Sequence, residues 1–360
     1  MAVRPRIAVD AMGGDGGPEI TVPAARLLTE RADLVLVGDP HLLAPLLGDA
    51  PIPVVAASQV ITDRHTLGDI LRRLPDASMR RALELLAGGQ VDAVVSGGDT
   101  AALMALSRQC LSMIPGIERP AICKTLQGKR APFWMLDLGA NLECSPAQLV
   151  QFARMGSLLA ERVGDLSRPR VALLNIGTER RKGPETLRRA AELLSADAML
   201  NYVGYIEGNV LFDNVADVIV CDGFTGNIAL KAVEGAASMA GHLLGSLLST
   251  LNPVQKLGLA LSRDALRSLG DGFNPQRYNG ASFVGLNGVV IKSHGSADSE
   301  GFKFAIEAAI VETAGQIPAR LGEQFDATHA GAGVQPAAAR GHGDQEYEDE
   351  HKDKDKDKGN

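Results

Sequence analysis

The chain has 360 residues, of which 45% are hydrophobic and 22% are charged, and 40 residues are glycine. This globular composition with extra glycine excludes a coiled coil, a collagen and a fully disordered chain. The net charge of −7 argues against a general nucleic-acid-binding protein. No run of about 18 strongly apolar residues is present, so no membrane-spanning helix is expected.

Short β-branched runs alternate with helical stretches along the chain. The predicted strands are Arg6–Asp10, Asp33–Val37, Ile52–Ala56, Val91–Ser96, Pro132–Leu138, Arg170–Ile176, Met199–Gly204, Ala216–Asp222 and Gly288–Ser293. Amphipathic periodicity predicts helices at Met79–Ala87, Leu149–Ala160, Thr186–Leu194 and Phe302–Ala314. Because strands alternate with helices, and several strands are apolar throughout, an α/β fold with a mostly parallel, doubly covered sheet is expected.

Glycine-rich turns with small polar or charged residues follow most of these strands. They are Asp10–Pro18, Ser96–Thr100, Asp137–Asn141, Asn175–Glu179, Gly204–Gly208, Asp222–Asn227 and Lys292–Ser296. The carboxyl ends of parallel strands lie along one edge of an open sheet, where ligands bind. Glycine allows close backbone approach to a ligand, and helix N-termini suit an anion. We therefore predict an anion-binding site along that one edge.

The turns do not match the common nucleotide motifs. Gly13–Pro18 lacks the dinucleotide-binding spacing, and Gly177–Gly183 lacks the spacing and ending of a P-loop. No G-x-S-x-G elbow is present, which disfavours a serine hydrolase. The four cysteines are far apart without a CxxC pair, so no disulfide framework or structural zinc site is expected.

The same turns resemble a known family. The chain resembles the bacterial fatty acyl-[acyl-carrier-protein]:phosphate acyltransferases of phospholipid synthesis, in order, from residue 7 to about residue 315. The matching segments are Ile7–Asp15, Ile114–Pro120, Leu136–Asn141, Leu174–Gly183, Tyr205–Gly208, Val220–Asn227, Tyr278–Ala281 and Val290–Ser296. Where the family usually has a Ser-Ala-Gly-Asn-Thr-Gly-Ala loop, this chain has Ser-Gly-Gly-Asp-Thr-Ala-Ala at Ser96–Ala102. Asp99 therefore stands in place of the asparagine. An acid beside a phosphate site adds repulsion, which leaves the role of Asp99 open.

The resemblance implies a three-layer α/β/α sandwich of two intertwined subdomains over residues 1–326. This architecture resembles that of the isocitrate and isopropylmalate dehydrogenases and of phosphotransacetylase, and the family acts as a homodimer. The implied reaction transfers a long-chain acyl group from acyl carrier protein directly to inorganic phosphate. Phosphate is a dianion near pH 7 and the thiol leaves readily, so neither a cofactor nor a metal is required.

Roles for individual residues are hypotheses within that reaction. Lys182 and Lys292 neutralise phosphate, Asn227 and the 223–226 amides donate hydrogen bonds, and His294 donates to the oxyanion or assists the leaving sulfur. The predicted catalytic residues are Lys182, Asn227 and His294. The residues predicted to bind phosphate or substrate are Gly13, Gly14, Asp15, Ser96, Thr100, Asn175, Gly177, Gly223, Thr225, Gly226, Lys292 and Ser293.

Structural interpretations of the same residues stay open. Lys182 is alternatively a solvated lysine on a polar loop, and His294 a buried, hydrogen-bonded histidine. Helix capping or turn formation is favoured over catalysis for three aspartates, Asp10, Asp15 and Asp222. Cys221 lacks a neighbouring base in sequence, so a buried inert thiol is favoured over an acyl-cysteine.

A leucine-rich region at about 235–275 is predicted to form an amphipathic helical hairpin. Its leucine stripes, which include Leu247, Leu251, Leu257 and Leu261, suit either a dimer contact or a membrane-surface contact, and the two can coexist. In the pathway of the family that this chain resembles, the acyl phosphate passes to a membrane-bound acyl-phosphate:glycerol-phosphate acyltransferase. Residues 1–6 hold no apolar signal segment, so a cytoplasmic protein peripherally associated with the membrane is expected.

Basic residues of this region suit either of two roles. Arg263, Arg267 and Arg277 either steer the acidic carrier protein or form a solvated face. Residues 327–360 are rich in Ala, Gly, Pro and charge, which predicts a disordered tail.

Three other functions compete with the acyl-carrier reaction. They are a short-chain acyl-coenzyme A phosphotransacylase, an NAD-dependent decarboxylating dehydrogenase and a non-enzymatic peripheral membrane scaffold. The dehydrogenase would need an acidic metal site and a nucleotide loop, and the sequence shows neither clearly.

Overall fold

The computed structural model describes residues 4–250 and 278–331. Its strands are β1 (Arg6–Asp10), β2 (Asp33–Gly38), β3 (Val54–Ala56), β4 (Ala93–Ser96), β5 (Ala121–Gln127), β6 (Pro132–Leu136), β7 (Arg170–Leu174), β8 (Asn201–Ile206), β9 (Val218–Val220), β10 (Ala281–Val284) and β11 (Val289–Lys292). Its helices are α1 (Pro18–Arg26), α2 (Pro40–Leu47), α3 (Leu67–Arg73), α4 (Ser78–Ala87), α5 (Thr100–Leu111), α6 (Pro146–Val163), α7 (Glu185–Ala196), α8 (Gly223–Thr250), α9 (Ser299–Ala314) and α10 (Ile317–Gly331).

All these strands join one sheet in the order β3-β2-β1-β4-β11-β10-β5-β6-β9-β7-β8. The first half, β1 to β4 with β11, is parallel throughout, and so is the second half, β6 to β9. Between them the β11–β10, β10–β5 and β5–β6 pairings are all antiparallel. Three successive reversals make the two halves run in opposite directions.

The prediction that all the glycine-rich turns lie along one edge is therefore wrong. Turns after β1, β4 and β11 lie at one edge, and turns after β6, β7, β8 and β9 point to the other. The cause is that β5 and β10 were not predicted from the sequence, and these two strands produce the reversal.

The register nevertheless keeps the two sets of carboxyl ends near each other. Lys292, the last residue of β11, pairs with Ala281, which pairs with Lys124, which pairs with Met135 near the end of β6. The ends of β11 and β6 are thus nearly level and about 15 Å apart, three strand spacings of about 4.8 Å. The two sets of turns therefore lie near each other at the middle of the sheet, although they point in opposite directions.

Helices cover both faces of the sheet, so the expected three layers are confirmed. On one face α4, α5 and α8 share a core with the sheet, with Leu83 and Leu103 fully buried. On the other face, α1, α2 and α9 cover the first half around Phe302. There α6, α7 and α10 cover the second half around Phe152. The chain crosses from the first half to the second and returns with β11, which intertwines them.

The predicted helices are confirmed with small shifts at their ends. Helix α10 continues to Gly331, so residues 327–331 are helical rather than part of a disordered tail, and residues 332–360 lie outside the described residues. The predicted hairpin begins within α8, but residues 251–277 lie outside the description. Outside with them lie Leu251, Leu257, Leu261, Arg263, Arg267, Arg277 and the side chain of Leu247. Of the helices that the structure describes, none has the length and apolarity needed to cross a membrane.

Candidate active site

The turns after β1, β4 and β11 pack together into a first crest. The Asp15 amide donates to the Gly295 carbonyl (2.8 Å), and the Ser293 amide donates to the Ser96 carbonyl (2.9 Å). Gly14 has φ +93°, and a Cβ there would lie 3.1 Å from the Gly295 oxygen. Only glycine suits this position, because the backbone is left-handed and the neighbouring turn is close.

Asp10 braces this crest from below. Its carboxylate is buried and accepts a hydrogen bond from the Ser96 hydroxyl (2.6 Å), which also accepts from the Gly98 amide (3.1 Å). Burial raises the pKa of Asp10, although hydrogen bonds oppose the shift. The carboxylate also accepts hydrogen bonds from the Met12 and Gly13 amides, so Asp10 is a turn former, as one of its two structural interpretations predicted. The Ser96 hydroxyl is used within the protein. Ser293 is likewise fully buried and accepts from Asn279 Nδ2 (2.8 Å).

Asp99 caps a helix, which answers the question left open by the sequence. Its carboxylate accepts from the Ala102 amide (2.8 Å) at the start of α5. Burial lowers the pKa of Lys292, and the charges of Asp99, Asp10 and Asp15 oppose that shift. The acid is therefore matched by a cation rather than left as a repulsive charge.

Lys292 is the central cation of the first crest. Its ammonium donates to the Gly97 carbonyl (3.2 Å) and to its neighbour, the Ser293 carbonyl. Burial lowers its pKa to about 8, and the surrounding carboxylates limit the shift. A fraction of the neutral amine is therefore present at slightly alkaline pH.

His294 lies exposed on the crest, so the buried-histidine interpretation is wrong. The Ser296 amide donates to Nδ1 (3.3 Å), which places the proton of a neutral ring on Nε2. Partial burial lowers the pKa of His294, Glu234 opposes that shift, and Lys231, Lys124 and Lys292 add to it. At pH 7 the ring is neutral, and Nε2–H is a hydrogen-bond donor.

Sequence analysis missed a charged cluster beside His294. Lys124 of β5 lies 3.7 Å from the Glu234 carboxylate, and Lys231 donates to that carboxylate at 2.8 Å. Burial lowers the pKa of Lys124, while Glu234 partly restores it. Burial alone would raise the pKa of Glu234, but the hydrogen bond from Lys231 and the charge of Lys124 lower it overall. The i,i+3 spacing of Lys231 and Glu234 was readable, whereas Lys124 sits in a strand that the sequence did not reveal.

Asp137 organises a second crest at the end of β6. Its Oδ1 accepts from the amides of Ile122 (3.0 Å), Ala140 (3.0 Å) and Gly139 (3.2 Å). Its Oδ2 accepts from the amide (2.7 Å) and the side chain (2.9 Å) of Asn141. Burial raises the pKa of Asp137 and these hydrogen bonds oppose the shift. One carboxylate thus fixes the whole turn.

The start of α8 is held against this turn. The Gly223 amide donates to the Asn141 carbonyl (2.7 Å), and the Gly226 amide to the Asp222 carbonyl (2.9 Å). The Thr225 amide donates to Asp222 Oδ1 (2.8 Å), so Asp222 caps α8 as its capping interpretation predicted. These three amides are already used within the protein, contrary to the prediction that they bind substrate. A Cβ at Gly223 would lie 2.5 Å from the Asn141 oxygen, so close packing demands glycine there.

The turn after β7 is braced by Asn175. Its buried side chain donates to the Lys182 carbonyl (3.2 Å) and accepts from the Ile176 amide (2.8 Å). Gly183 has φ +82°, and a Cβ there would overlap the Asn175 side chain. Asn175 therefore acts as a brace, and Lys182 itself is exposed on the loop.

Helix α8 connects the two crests. The exposed Asn227 packs against Gly139, where a Cβ would lie 3.6 Å from that of Asn227. Lys231 and Glu234 follow at about 6 Å and 10 Å along the axis, at about 1.5 Å per residue, and face His294. Helix α8 thus carries Asn227 at the second crest and, one turn later, Lys231 near Lys292 and His294 of the first crest. Within residues 4–250 and 278–331, no hydrogen bond joins Lys182 to Asn227.

Cysteine chemistry is disfavoured at this site. Burial raises the pKa of Cys221 well above its ordinary value, and burial raises that of Cys144 to about 12. Both stay protonated near neutral pH, which supports the interpretation of Cys221 as an inert thiol. The part of the chain that the structure describes contains no group of three or more His, Cys, Asp or Glu residues suited to a metal ion.

Comparison with known proteins identifies the family. Residues 5–320 match the family described as fatty acid synthesis protein. The chain belongs to this family.

Curated relatives match most of the chain. A phosphate acyltransferase of Pseudomonas aeruginosa is 48% identical over 326 residues, spanning 88% of this chain and 96% of the relative. The phosphate acyltransferase of Herminiimonas arsenicoxydans is 45% identical over 332 residues, spanning 88% and 92%. These matches confirm the family resemblance drawn from the turns.

Solved structures confirm the fold of this chain. A phosphotransacetylase from Streptococcus pyogenes superposes with a TM-score of 0.58 at 19% identity, covering 88% of this chain and 95% of that one. A branched-chain phosphotransacylase from Enterococcus faecalis V583 gives 0.54 at 16% identity, covering 86% and 99%. At such identities the likeness concerns the architecture alone.

Proposed function

We propose that this protein is a phosphate acyltransferase that transfers a long-chain acyl group from acyl-[acyl-carrier-protein] to inorganic phosphate. The observation that carries the proposal is that α8 packs Asn227 against the Gly139 turn of one crest and, one helical turn later, places Lys231 beside Lys292 and His294 of the other. Relatives at 45–48% identity that are named phosphate acyltransferase support it. The products are acyl phosphate and the free carrier thiol.

The reaction needs positioning and charge more than proton transfer. A phosphate oxygen attacks the thioester carbonyl carbon, forming a C–O bond and an oxyanion. The oxyanion collapses, the C–S bond breaks, and the thiolate leaves and takes a proton from solvent. Holding the reactants in line supplies about 7–11 kcal/mol, and each donor at the oxyanion supplies about 3–4 kcal/mol.

The site residues divide these tasks. His294 donates its Nε2–H to the developing oxyanion, and Asn227 donates its side-chain amide to phosphate or to the same oxygen. Lys182 contributes an exposed cation from the neighbouring turn, and Lys292 supplies positive charge beneath the first crest. Asp15, Thr100 and the Gly13–Gly14 backbone shape the entrance. No cofactor is part of the proposal.

A thiol-release assay tests the proposal. Purified protein receives a long-chain acyl-carrier thioester with and without inorganic phosphate, and free thiol and acyl phosphate are measured. We expect both products in equal amounts and only with phosphate. Thiol release that does not depend on phosphate, or release without acyl phosphate, would contradict the proposal. Preference for a short-chain acyl-coenzyme A donor would favour the phosphotransacylase alternative.

The cellular setting is part of the same proposal. Met239 and Leu243 of α8 are exposed, and such apolar side chains suit a contact with a second copy or with a membrane surface. A cytoplasmic homodimer at the membrane would deliver acyl phosphate to a membrane-bound acyl-phosphate:glycerol-phosphate acyltransferase.

A further inference from the structure

Unpaired positive charges collect at the turn after β7. Arg180, Arg181 and Lys182 are consecutive and exposed, and Glu179 is the one acid between residues 176 and 183. Among the residues that the structure describes, none of the three cations forms an ion pair. The arginines of the adjacent helix α7 differ, because Arg188 pairs with Glu185 and Arg189 with Glu192. The loop therefore carries uncompensated positive charge on a protein of net charge −7.

The loop has a defined conformation. Asn175 binds the Lys182 carbonyl at one end of the loop and the Ile176 amide at the other. The Lys182 amide donates to the Glu179 carbonyl (2.9 Å), and the Arg188 guanidinium donates to the Gly183 carbonyl (3.0 Å). None of these bonds uses the side chains of Arg180 or Arg181. A partner that binds those two side chains therefore meets a pre-organised surface, which lowers the entropy cost of binding.

Exposed apolar side chains follow strands at the same end of this half of the sheet. Ile176 is 78% exposed and Phe224 60% exposed, and Leu142 and Ile228 are exposed as well. They follow β6, β9 and β7, which are neighbours in the sheet, so they share one edge within about 10 Å, two strand spacings. Arginines beside exposed aromatic and aliphatic side chains are typical of protein interfaces. We call this surface, with Arg180, Arg181 and Lys182, the basic crest.

We propose that the basic crest is the docking surface for the acidic protein domain that carries the acyl thioester. Arg180 and Arg181 attract the carboxylates of that domain, and Ile176 and Phe224 pack on its apolar side chains. The surface continues directly into Asn227 and the start of α8, so a docked carrier presents its thioester beside the candidate site. The inference rests on the proposed function, since it assumes a protein-bound acyl donor.

Charge reversal with two donors tests the docking surface. The variant Arg180→Glu/Arg181→Glu is compared with wild type. Titration measures the Kd of each protein for an acyl-carrier thioester. Steady-state assays measure kcat and KM with the acyl-carrier thioester and with uncharged acyl-pantetheine as donors. We expect the Kd and KM for the carrier to rise about tenfold, with kcat and all acyl-pantetheine kinetics within about twofold. Arg180→Lys/Arg181→Lys should restore most of the carrier affinity, because charge rather than fork geometry attracts the partner.

A matched control reverses the charge of two arginines at the opposite end of the same half of the sheet. Arg162 and Arg168 are exposed and precede the amino end of β7, so Arg162→Glu/Arg168→Glu should leave the carrier Kd unchanged. An equal loss of carrier affinity in this control would overturn the proposal, because only net charge would then matter. Equal loss with acyl-pantetheine would overturn it too, because the arginines would then serve the reaction itself.

Two further outcomes separate the alternatives. If Arg180→Glu/Arg181→Glu keeps its carrier affinity but loses binding to phosphatidylglycerol–phosphatidylethanolamine vesicles, the basic crest is a lipid-binding surface and the proposal is wrong. If wild type binds the carrier through the basic crest but forms no acyl phosphate from either donor, the docking surface stands and the proposed function fails.

Discussion

Single residues of the crests have distinct tasks, and Lys182 is the clearest test. It is exposed on a braced turn, where its charge is free to meet phosphate. Lys182→Ala should lower turnover at least about tenfold through loss of one charge-assisted contact, without altering the fold. Acyl phosphate formation, with circular dichroism as the structural control, measures this. Unchanged turnover would assign Lys182 to the solvated surface.

A buried acid away from the crests predicts a pH effect on stability. Glu312 of α9 is buried, and its Oε2 accepts a hydrogen bond from the Ser282 hydroxyl at 2.7 Å. Burial raises the pKa of Glu312 to about 7. Its unfolded pKa is near 4.3, so between these values the folded state holds a proton that the unfolded state has lost. The free energy of unfolding therefore falls as pH rises from about 4.5 to 7 and levels off above 7.

Glu312→Gln removes this dependence because the amide never ionises. The free energy of unfolding of the variant minus that of wild type should increase by about 2–3 kcal/mol from pH 5 to pH 8. Urea unfolding at both pH values measures this difference. If the difference in unfolding free energy between wild type and Glu312→Gln is the same at pH 5 and pH 8, Glu312 does not change its ionisation in this range.

At the scale of elements, the link between β6 and α8 depends on one carboxylate. Asp137 accepts five hydrogen bonds from Ile122, Gly139, Ala140 and Asn141. Asp137→Asn places an NH₂ against backbone N–H groups in either orientation, so it leaves buried donors unpaired. The expected loss is about 2–4 kcal/mol, measured by urea unfolding. The exposed Asp165→Asn is the matched control, and equal stability of the two variants would refute the bracing role.

The elements also show what the sequence does and does not reveal. The turns after β1 and β9 and the Asp222 cap were predictable, because glycine and aspartate carry local backbone chemistry. Strand β5 was not, since its Lys124, Thr125 and Gln127 interrupt the apolar run that signals a parallel strand. That strand changes the direction of the sheet, so the arrangement of the turns could not follow from their motifs. The same gap hid Lys124 and its pairing with Glu234.

At the scale of the whole molecule, α8 extends beyond the sheet. Met239 and Leu243 are exposed, and their spacing of four places them on one helix face. If the proposed homodimer forms through this face, Leu243→Glu should weaken self-association at least about tenfold, because it puts a charge into an apolar contact. Sedimentation at several concentrations measures this. Lys231→Glu, a substitution on the same helix near the body, is not a suitable control because it alters the site. His242→Glu, at the exposed residue directly before Leu243, is the suitable control. A dimer of unchanged affinity in Leu243→Glu would place the self-association surface elsewhere.

The return of β11 to the first half bears on how the protein is made. Strand β4 hydrogen-bonds to β11 along its full length, yet β4 ends at Ser96 and β11 begins at Val289. During synthesis on the ribosome, the side of β4 that pairs with β11 stays unpaired for about 10–40 s at typical synthesis rates. Nascent chains would therefore present an unpaired strand edge throughout that interval, and this is where aggregation or chaperone capture would begin.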